Sequence, residues 1–277
     1  MMNGVRVHSA SNAFIIPVVL LLFVVSSIQG CSQPARTDLD YSFDVYQTVQ
    51  VPEFPDDELV QFESVFWEPD DTVSLRKLIV DDSIADGRSV LEIGTGTGLL
   101  SLVCLTNGAK DVVATDINPA AAANARYNAA RLELDEHFEV RLVETEQPDA
   151  YAVIKPKERF DLILSNPPWE DGKVARPADH AFYDPDFALM DSLLEGLSSH
   201  LQPGGRCLLA YGHSPAITLL LLKAKDLGYQ TKILDDRKLE ELPLNFLPGM
   251  LIEVRLGRNQ IPKVDASRGN QATKDRS

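Results

Sequence analysis

The chain has 277 residues, enough for one large domain or two small ones with a sizeable core. Acidic residues outnumber basic ones by 41 to 26, and the formal net charge of -15, with no dense run of Lys or Arg, disfavours nucleic acid as a partner. The three cysteines, Cys31, Cys104 and Cys207, form no CxxC pair and the five histidines show no ligand spacing, so the sequence predicts no metal site.

The first part of the chain carries an apolar run, residues 14–25, which is short for a membrane-spanning helix and has the layout of a secretory signal. The run ends in IQGC, which resembles the cleavage box of bacterial lipoproteins, in which the cysteine, here Cys31, is lipidated. Gln29 departs from the small residue expected in such a box. We therefore expect residues 1–31 to be a signal or anchor that associates the protein with a membrane, on a side that the sequence leaves open. The alternatives are an uncleaved anchor and a misassigned start codon, the second of which would make the protein cytoplasmic.

The composition beyond this segment predicts three further parts. Residues 32–58 form a linker, in which FDVYQTVQV, residues 43–51, alternates enough to be a short strand. Residues 59–257 form the main domain. The polar tail, residues 258–277, is expected to be disordered.

The main domain begins with a helix that Asp71 or Thr72 can cap, after which strands and helices alternate. The predicted strands are SVLEI, DVVATD, FEVRLV, FDLILS, GGRCLLAY, YQTKILD and GMLIEVRL. The predicted helices between them are GLLSLVCLTNGA, NPAAAANARYNAARL, a weak DAYAVIK, FALMDSLLEGLSSHL and SPAITLLLLKAKDLG. This alternation predicts an α/β fold in which a parallel sheet carries helices on both faces and binds ligands at the carboxyl ends of its strands.

A glycine loop, GTGTG, follows the first strand of this series and opens the next helix. Because glycine has no Cβ atom, such a loop turns tightly and brings its backbone against a ligand. Leu99 stands where the dinucleotide pattern needs glycine, and the absence of GK[ST] excludes the phosphate-binding P-loop. Asp116 ends the second strand, 18 residues beyond Gly98, where an acid can accept hydrogen bonds from both hydroxyls of a ribose. The alternative is an ordinary glycine turn with Asp116 as a helix N-cap, although Asn118 and Pro119 already mark that helix start.

A second motif, SNPPW, follows the strand FDLIL. Its two prolines fix two φ angles and remove two backbone donors, so the neighbouring carbonyls are free to accept N–H groups from a ligand. The side-chain oxygen of Asn166 is a further acceptor. The alternative is a turn at the end of the strand with a packed Trp169.

The order GTGTG, Asp116, SNPPW resembles the class I S-adenosylmethionine-dependent methyltransferases over about residues 60–256. The resemblance is best to the HemK-type protein-glutamine methyltransferases, whose NPPY-type motif acts on planar nitrogens, and to the related small-domain RNA methyltransferases. It implies a Rossmann-like seven-stranded sheet, mostly parallel with an antiparallel last strand, and S-adenosylmethionine as cofactor. TDINPAAAANAR and VFWEPDDT are also similar to segments of that family. Two departures are Trp169, where the family has Tyr or Phe, and the short stretch before the core, which leaves no room for the helical substrate domain of the bacterial type.

The resemblance also implies roles for individual residues. Asn166 and Pro167 would hold the acceptor nitrogen, and Pro168 and Trp169 would face the substrate. Glu144, with Thr145 as the alternative, would contact adenine, and Glu92 could equally be structural. The implied cofactor contacts are Glu92, Gly94, Thr95, Gly96, Gly98, Asp116, Ile117, Glu144 and Asn166. In the loop that follows, Lys173, Arg176 and His180 are interpreted as solvated residues rather than acceptor contacts.

Three functions are compatible with these patterns. The first is an N-methyltransferase that acts on an amide or amino group, with protein more favoured than nucleic acid as the substrate. The second is an RNA or DNA base methyltransferase acting on adenine N6 or guanine N2, which the acidic charge disfavours. The third is a membrane-tethered, non-catalytic binding protein built on the same fold, which the signal in residues 1–31 suggests. The sequence leaves the oligomeric state open, and a monomer is assumed.

Overall fold

The computed structural model describes residues 36–257 and residue 260. By its internal contacts the chain divides into two units, Met1–Arg36 and Thr37–Ser277. The predicted signal, its Cys31 and nearly all of the predicted tail lie outside the described residues. Within the described part of the chain, no helix combines the length and apolar character needed to cross a membrane.

A seven-stranded sheet forms the centre of the second unit, with a separate two-stranded hairpin beside it. The strands are β1 Val45–Val49, β2 Leu59–Phe62, β3 Ser89–Ile93, β4 Asp111–Asp116, β5 Phe138–Leu142, β6 Phe160–Ser165, β7 Leu201–His213, β8 Gln230–Ile233 and β9 Asn245–Arg255. The α-helices of the described residues are α1 Val73–Asp81, α2 Leu99–Thr106, α3 Pro119–Arg131, α4 Ala188–His200 and α5 Ser214–Asp226.

The strand order in the large sheet is β5-β4-β3-β6-β7-β9-β8. The pairs β3/β4, β3/β6, β4/β5 and β6/β7 are parallel, whereas β9 is antiparallel to both of its neighbours. The chain reverses its direction of travel across the sheet at β3, and β3 and β6 are adjacent there. The prediction of a mostly parallel seven-stranded sheet with an antiparallel last strand is confirmed.

The central strands are apolar on both faces because helices cover both sides. Alternate residues of β3, such as Val90 and Leu91, belong to different core clusters. Val90 and Leu162 of β6 pack in the cluster that includes α1 and α2, whereas Leu91 and Ile163 pack in the cluster that includes α4 and α5. This double burial explains the nearly continuous apolar runs that identified these strands in the sequence.

The β1–β2 hairpin is attached to α3 by two buried amide side chains. Asn124 and Asn128 lie one turn apart on α3 and are fully buried. Asn128 accepts from the N–H of Val60 at 2.8 Å, Asn124 accepts from the N–H of Phe62 at 2.8 Å, and both amides donate to the carbonyl of Val60. The backbone N–H and C=O groups of β2 that face α3 therefore bond to side chains of that helix, in the place where a third strand of a sheet would otherwise pair with them. They also fix the start of residues 63–72, which form one wall of the site described below.

The segment DAYAVIK, residues 149–155, forms turns and no helix, so that prediction was wrong. Its backbone is fixed by side chains: Asp149 accepts from the N–H of Tyr151 at 2.7 Å, and the Tyr151 hydroxyl donates to the carbonyl of Leu193 at 3.1 Å. The Tyr151 ring stacks on His200 with centroids 4.5 Å apart. These tertiary contacts override a weak local helix propensity.

Candidate active site

The glycine loop leaves β3 in a left-handed conformation that glycine adopts without strain. Gly94 has φ of 76° and Gly96 φ of 55°. The N–H groups of Gly94 and Thr95 donate to the carbonyl of Thr115 on β4, at 2.9 and 3.0 Å. A Cβ atom at Gly94 would meet no protein atom within 4 Å. The loop is therefore tied to β4 on one side and presents bare backbone to open space on the other.

Gly98 has a different role from the first two glycines of the loop. A Cβ atom there would lie 3.2 Å from the Cα of Ala125, so the glycine lets α2 approach α3 closely. Gly98 does not line the cavity beside the loop. Its predicted cofactor contact is therefore corrected to a packing role.

Asp116 lies at the end of β4 with both carboxylate oxygens turned to backbone donors. One oxygen accepts from the N–H of Gly96 at 2.9 Å and the other from the N–H of Asn118 at 2.8 Å. Burial raises the pKa of Asp116, and the backbone N–H groups partly offset the increase. Asn118, whose side chain accepts from the N–H of Ala120 at 3.1 Å, is the N-cap of α3, so the alternative reading of Asp116 as that cap does not hold. Each carboxylate oxygen keeps acceptor capacity for a ligand hydroxyl.

Glu92 is a buried carboxylate beneath the loop. It accepts from the Thr95 hydroxyl at 2.8 Å, from the Ser101 N–H at 3.1 Å and from the Ser101 hydroxyl. Burial raises the pKa of Glu92 to about 7. The side chain ties both ends of the loop together, and it also lines the cavity. Glu92 therefore stabilises the glycine loop through these hydrogen bonds, and its place on the cavity wall also allows it to contact a cofactor.

A cavity of about 320 Å³ lies at the carboxyl ends of β3, β4 and β6. Of the residues that the sequence implicated in cofactor binding, those that line it are Glu92, Gly94, Thr95, Gly96, Asp116, Ile117 and Asn166. Glu144 is exposed and does not line the cavity, whereas Val143 and Thr145 on either side of it do. The position predicted for the adenine contact therefore moves from Glu144 to these neighbours.

The SNPPW segment begins beside the glycine loop. Asn166, Pro167 and Pro168 line both this cavity and a second, adjoining one. The Asn166 side-chain NH2 donates to Asp71 at 3.2 Å. Its Oδ1 atom is buried and has no hydrogen-bond partner among the described residues. An unpaired buried acceptor is costly to keep, which marks it as the place where a ligand N–H is expected.

The second cavity has aromatic walls and acidic groups. Its aromatic residues come from four segments and are Phe66, Trp67, Trp169, Phe182, Tyr183 and Phe246. Its charged residues are Glu68, Asp71 and Glu170, and no Lys, Arg or His of the described residues lines it. Trp169 lines only this second cavity, and its indole N–H donates to the carbonyl of Ala210 at 3.3 Å. The predicted substrate-facing residues Pro168 and Trp169 thus both reach this cavity.

Several residues of the site were not singled out from the sequence. Asp71 and Thr72 were the two alternatives for the helix cap; Thr72 occupies the N-cap position of α1, and Asp71 accepts a hydrogen bond from Asn166. Phe66 and Phe182 meet edge to face with centroids 5.4 Å apart. The sequence feature that contains Phe66 and Asp71 is the segment VFWEPDDT, which was noted only for its similarity to the family. In the loop that follows SNPPW, His180 lines the first cavity, whereas Lys173 and Arg176 line neither cavity.

The arrangement of a glycine loop after β3, an acid after β4 and an Asn-Pro-Pro segment after β6 defines a class I methyltransferase fold. The family model of the methyltransferase small domain matches residues 75–223, which is more than half of the chain. The chain belongs to the methyltransferase small domain family.

Similar proteins include protein and RNA methyltransferases. The release factor glutamine methyltransferase of Cereibacter sphaeroides is 38% identical over 136 residues, which are 45% of this chain and 46% of that protein. A protein of Methanocaldococcus jannaschii, provisionally assigned as a protein N5-glutamine methyltransferase, is 32% identical over 60% of this chain and 82% of its own length. The tRNA1(Val) (adenine(37)-N6)-methyltransferase of Flavobacteriaceae bacterium strain 3519-10 is 37% identical over 87 residues, 31% of this chain and 35% of that protein.

Among solved structures, the 16S rRNA N2 G1207 methyltransferase of T. thermophilus, in complex with AdoMet and guanosine, has the same fold. The TM-score is 0.51 at 18% identity, over 77% of this chain and 51% of that chain. The present chain spans about half the length of the release factor methyltransferase of C. sphaeroides, so the activity and substrate of that whole protein do not transfer to it directly.

Proposed function

We propose that the protein is an S-adenosylmethionine-dependent N-methyltransferase that acts on a planar amide or amino nitrogen of a protein substrate. The observation that carries the proposal is Asn166, a residue that lines both cavities and whose Oδ1 atom is a buried acceptor without a partner in the described structure. Membership of the methyltransferase small domain family supports it.

The first cavity fits the methyl donor. Gly94 offers backbone with open space in front of it, and Asp116 offers two carboxylate oxygens to a ribose. Ile117 and Val143 supply apolar walls, and Thr145 a hydroxyl. S-adenosylmethionine, when bound, supplies an electrophilic methyl group on a sulfonium.

The residues at the boundary fit the acceptor nitrogen. An amide or aryl amine nitrogen is a poor nucleophile because its lone pair is delocalised. Asn166 Oδ1 and the Pro167 carbonyl can each accept one of its two N–H groups, which aims the nitrogen at the neighbouring cavity. The nitrogen transfers its extra proton to solvent after the methyl group has arrived, so the step needs no base in advance.

The acidic lining of the second cavity favours a protein substrate. A nucleic-acid strand would bring phosphates close to Glu68, Asp71 and Glu170 without a lining cation to offset them. The aromatic walls accept a planar group of either origin. The similarity to both glutamine and tRNA adenine methyltransferases is consistent with this chemistry.

Calorimetric titration with S-adenosylmethionine, followed by transfer of a tritiated methyl group, tests the proposal on the full-length protein. We expect micromolar cofactor binding that Asp116→Ala loses, and label that proteases but not nucleases remove from a cell extract. Asn166→Ala is expected to bind cofactor within tenfold of wild type and to transfer label much more slowly, at a rate that is still measurable. Nuclease-sensitive label would replace the protein substrate with RNA or DNA. Absence of cofactor binding would overturn the proposal and favour the non-catalytic binding protein.

We also propose membrane attachment through Cys31, which rests on the sequence of residues 1–31 alone. Cells fed a tritiated fatty acid should label the wild-type protein and not Cys31→Ser. Protease treatment of intact cells would then report which side of the membrane the domain occupies. An unlabelled wild-type protein in the soluble fraction would contradict this attachment.

A further inference from the structure

The Asn166 side chain can present either of two faces to the acceptor. Its carboxamide oxygen and nitrogen exchange places when the terminal group turns by half a rotation, and the two arrangements have nearly the same shape. Only the arrangement with Oδ1 toward the acceptor can take a substrate N–H. The reverse arrangement would place NH2 against NH2, with no acceptor between them. Catalysis by this residue therefore requires something that fixes the amide.

Asp71 fixes it in the structure. Asp71 lies in the short turn before α1 and is 4% exposed, and it lines the second cavity. Its Oδ2 atom accepts from the Asn166 NH2 at 3.2 Å. An ionised carboxylate has no donor, so it can pair only with the NH2 end of the amide. Pairing that end leaves Oδ1 of Asn166, a residue that lines both cavities, buried and unpartnered, as observed.

We propose, on the basis of the proposed function, that Asp71 is a positioning residue that holds the Asn166 amide with its oxygen toward the acceptor, and that protonation of Asp71 releases this orientation. A protonated carboxyl can donate to Asn166 Oδ1 as readily as it accepts from the NH2 group. The flipped amide then becomes an equally good partner for Asp71, and the acceptor site is lost in that fraction of molecules.

The surroundings of Asp71 raise its pKa, so that its protonation falls in a pH range in which it can be measured. Burial, above all, raises the pKa of Asp71 to about 6, the Asn166 hydrogen bond opposes the increase, and the charges of Glu68 and Asp70 add to it. Two neighbouring elements also bring titratable groups. On α1, the Arg76 guanidinium donates hydrogen bonds to the Thr72 hydroxyl, the Pro69 carbonyl and the Glu53 carboxylate. On β7, Tyr211 is fully buried with a raised pKa and stays neutral.

The same turn is approached from β9 by backbone rather than by a charged group. A Cβ atom at Gly249 would lie 2.5 Å from the carbonyl oxygen of Asp71, so β9 packs directly on this residue. The close backbone excludes water from that side of Asp71, which is consistent with burial as the main cause of its raised pKa. We therefore expect the orientation of Asn166 to be fixed above pH 6 and to be lost below it.

The orientation can be tested without an acceptor by NMR of the full-length protein labelled with ¹⁵N at asparagine. Asn166→Ala identifies the side-chain NH2 signals of Asn166. In the wild type these signals should shift with a midpoint near pH 6, and in Asp71→Asn that midpoint should be absent. Asp70→Asn, which removes the adjacent exposed carboxylate, should keep it. Signals that do not respond between pH 5 and 8 in the wild type, or that titrate alike in Asp71→Asn, would overturn the proposal.

The second measurement concerns methyl transfer to the labelled fraction of a cell extract. Asp71→Asn should lower the maximal rate about twofold at pH 7.5, because the two arrangements of the Asn166 amide become equally populated. It should leave cofactor affinity unchanged and abolish the fall in rate below pH 6. In an Asn166→Ala background the same substitution should have no further effect, because Asp71 acts through Asn166. Additive losses, or an acidic limb that survives in Asp71→Asn, would contradict the role. If the wild type transfers no methyl group, the proposed function fails, and the NMR titration still decides the orientation.

Discussion

The hydroxyl of Ser165, the last residue of β6, donates to the carbonyl of Ile93, the last residue of β3, at 2.7 Å. The two residues are 72 positions apart in the chain, and both are buried. The glycine loop starts after Ile93, and Asn166 follows Ser165. One hydrogen bond therefore joins the end of the strand that leads to the proposed cofactor site to the end of the strand that leads to the proposed acceptor site.

The first prediction concerns this bond. Ser165→Ala removes a buried donor and leaves the Ile93 carbonyl with one partner fewer, so it should lower the free energy of unfolding by about 1–3 kcal/mol. Urea denaturation measures this change. Thr218→Ala is the matched control, because its hydroxyl makes a hydrogen bond of 3.0 Å to a backbone carbonyl on an exposed helix face and its loss should cost less than about 0.5 kcal/mol. Equal costs for the two substitutions would show that the bond does not stabilise the site.

The second prediction separates the glycines of the loop. Gly94→Ala forces a left-handed φ on alanine, which costs about 1–2 kcal/mol of stability, and adds a methyl group where the cavity is open. Gly228→Ala has a similar φ of 79° and open space, but lies after α5 and is the control for strain alone. Calorimetry should show weaker S-adenosylmethionine binding for Gly94→Ala only. Gly98→Ala should be the least stable of the three, because its Cβ would also press on Ala125.

The third prediction concerns the pH dependence of stability through Glu92. Its pKa is raised by burial from an ordinary value of 4.5 to about 7. The folded protein therefore holds this proton more tightly than the unfolded chain does. The associated stability is complete below about pH 4.5 and is lost as the pH rises to about 7.

Glu92→Gln keeps the shape of the side chain and removes this titration. Relative to wild type, the variant should gain up to about 3 kcal/mol of unfolding free energy between pH 4.5 and 7.5. Guanidinium denaturation at the two pH values measures the difference. Asp161→Asn serves as the control, since Asp161 is also bonded to a serine but lies at the opposite end of the sheet strands. A constant difference between Glu92→Gln and wild type would contradict the prediction.

The central strands β3 and β6 were predictable because they are buried on both faces and each precedes a clear helix pattern in the sequence. SVLEI and FDLILS match β3 and β6 closely. Asp116 and the first two glycines were predictable because the chemistry of a ribose and of a close backbone approach needs those residue types directly after parallel strands. Local pattern and global topology agree at these positions, which is why sequence alone located them.

The remaining features depend on contacts between distant segments. Asp71 meets Asn166 across 95 positions of sequence, and no local pattern distinguishes it from the helix cap that it resembles. Glu144, with Thr145 as the alternative, was predicted from its place after the third strand of the series. Both residues are exposed, and of the two only Thr145 lines the first cavity. The turns at residues 149–155 follow from the burial of Tyr151 and not from propensity.

The last prediction concerns Tyr183, which lines both cavities and lies against Gly172. A Cβ atom at Gly172 would be 2.3 Å from the Cδ1 of that ring, so Gly172→Ala must displace the ring. Because Tyr183 and Pro168 line the same two cavities, displacement of the ring should slow methyl transfer by roughly tenfold or more through misplacement of the acceptor. The proposed cofactor contacts at Gly94 and Asp116 follow β3 and end β4, away from Gly172 in the chain, and should be retained.

A double-mutant cycle distinguishes this wall from a general loss of stability. In Tyr183→Ala the ring is absent and the added methyl group at Gly172 has room. Gly172→Ala should then have no further effect on transfer, so the coupling should be as large as the single effect of Gly172→Ala. Independent losses in the cycle would mean that Gly172→Ala acts by disturbing the loop as a whole, and Tyr183 would not be a wall of the acceptor site.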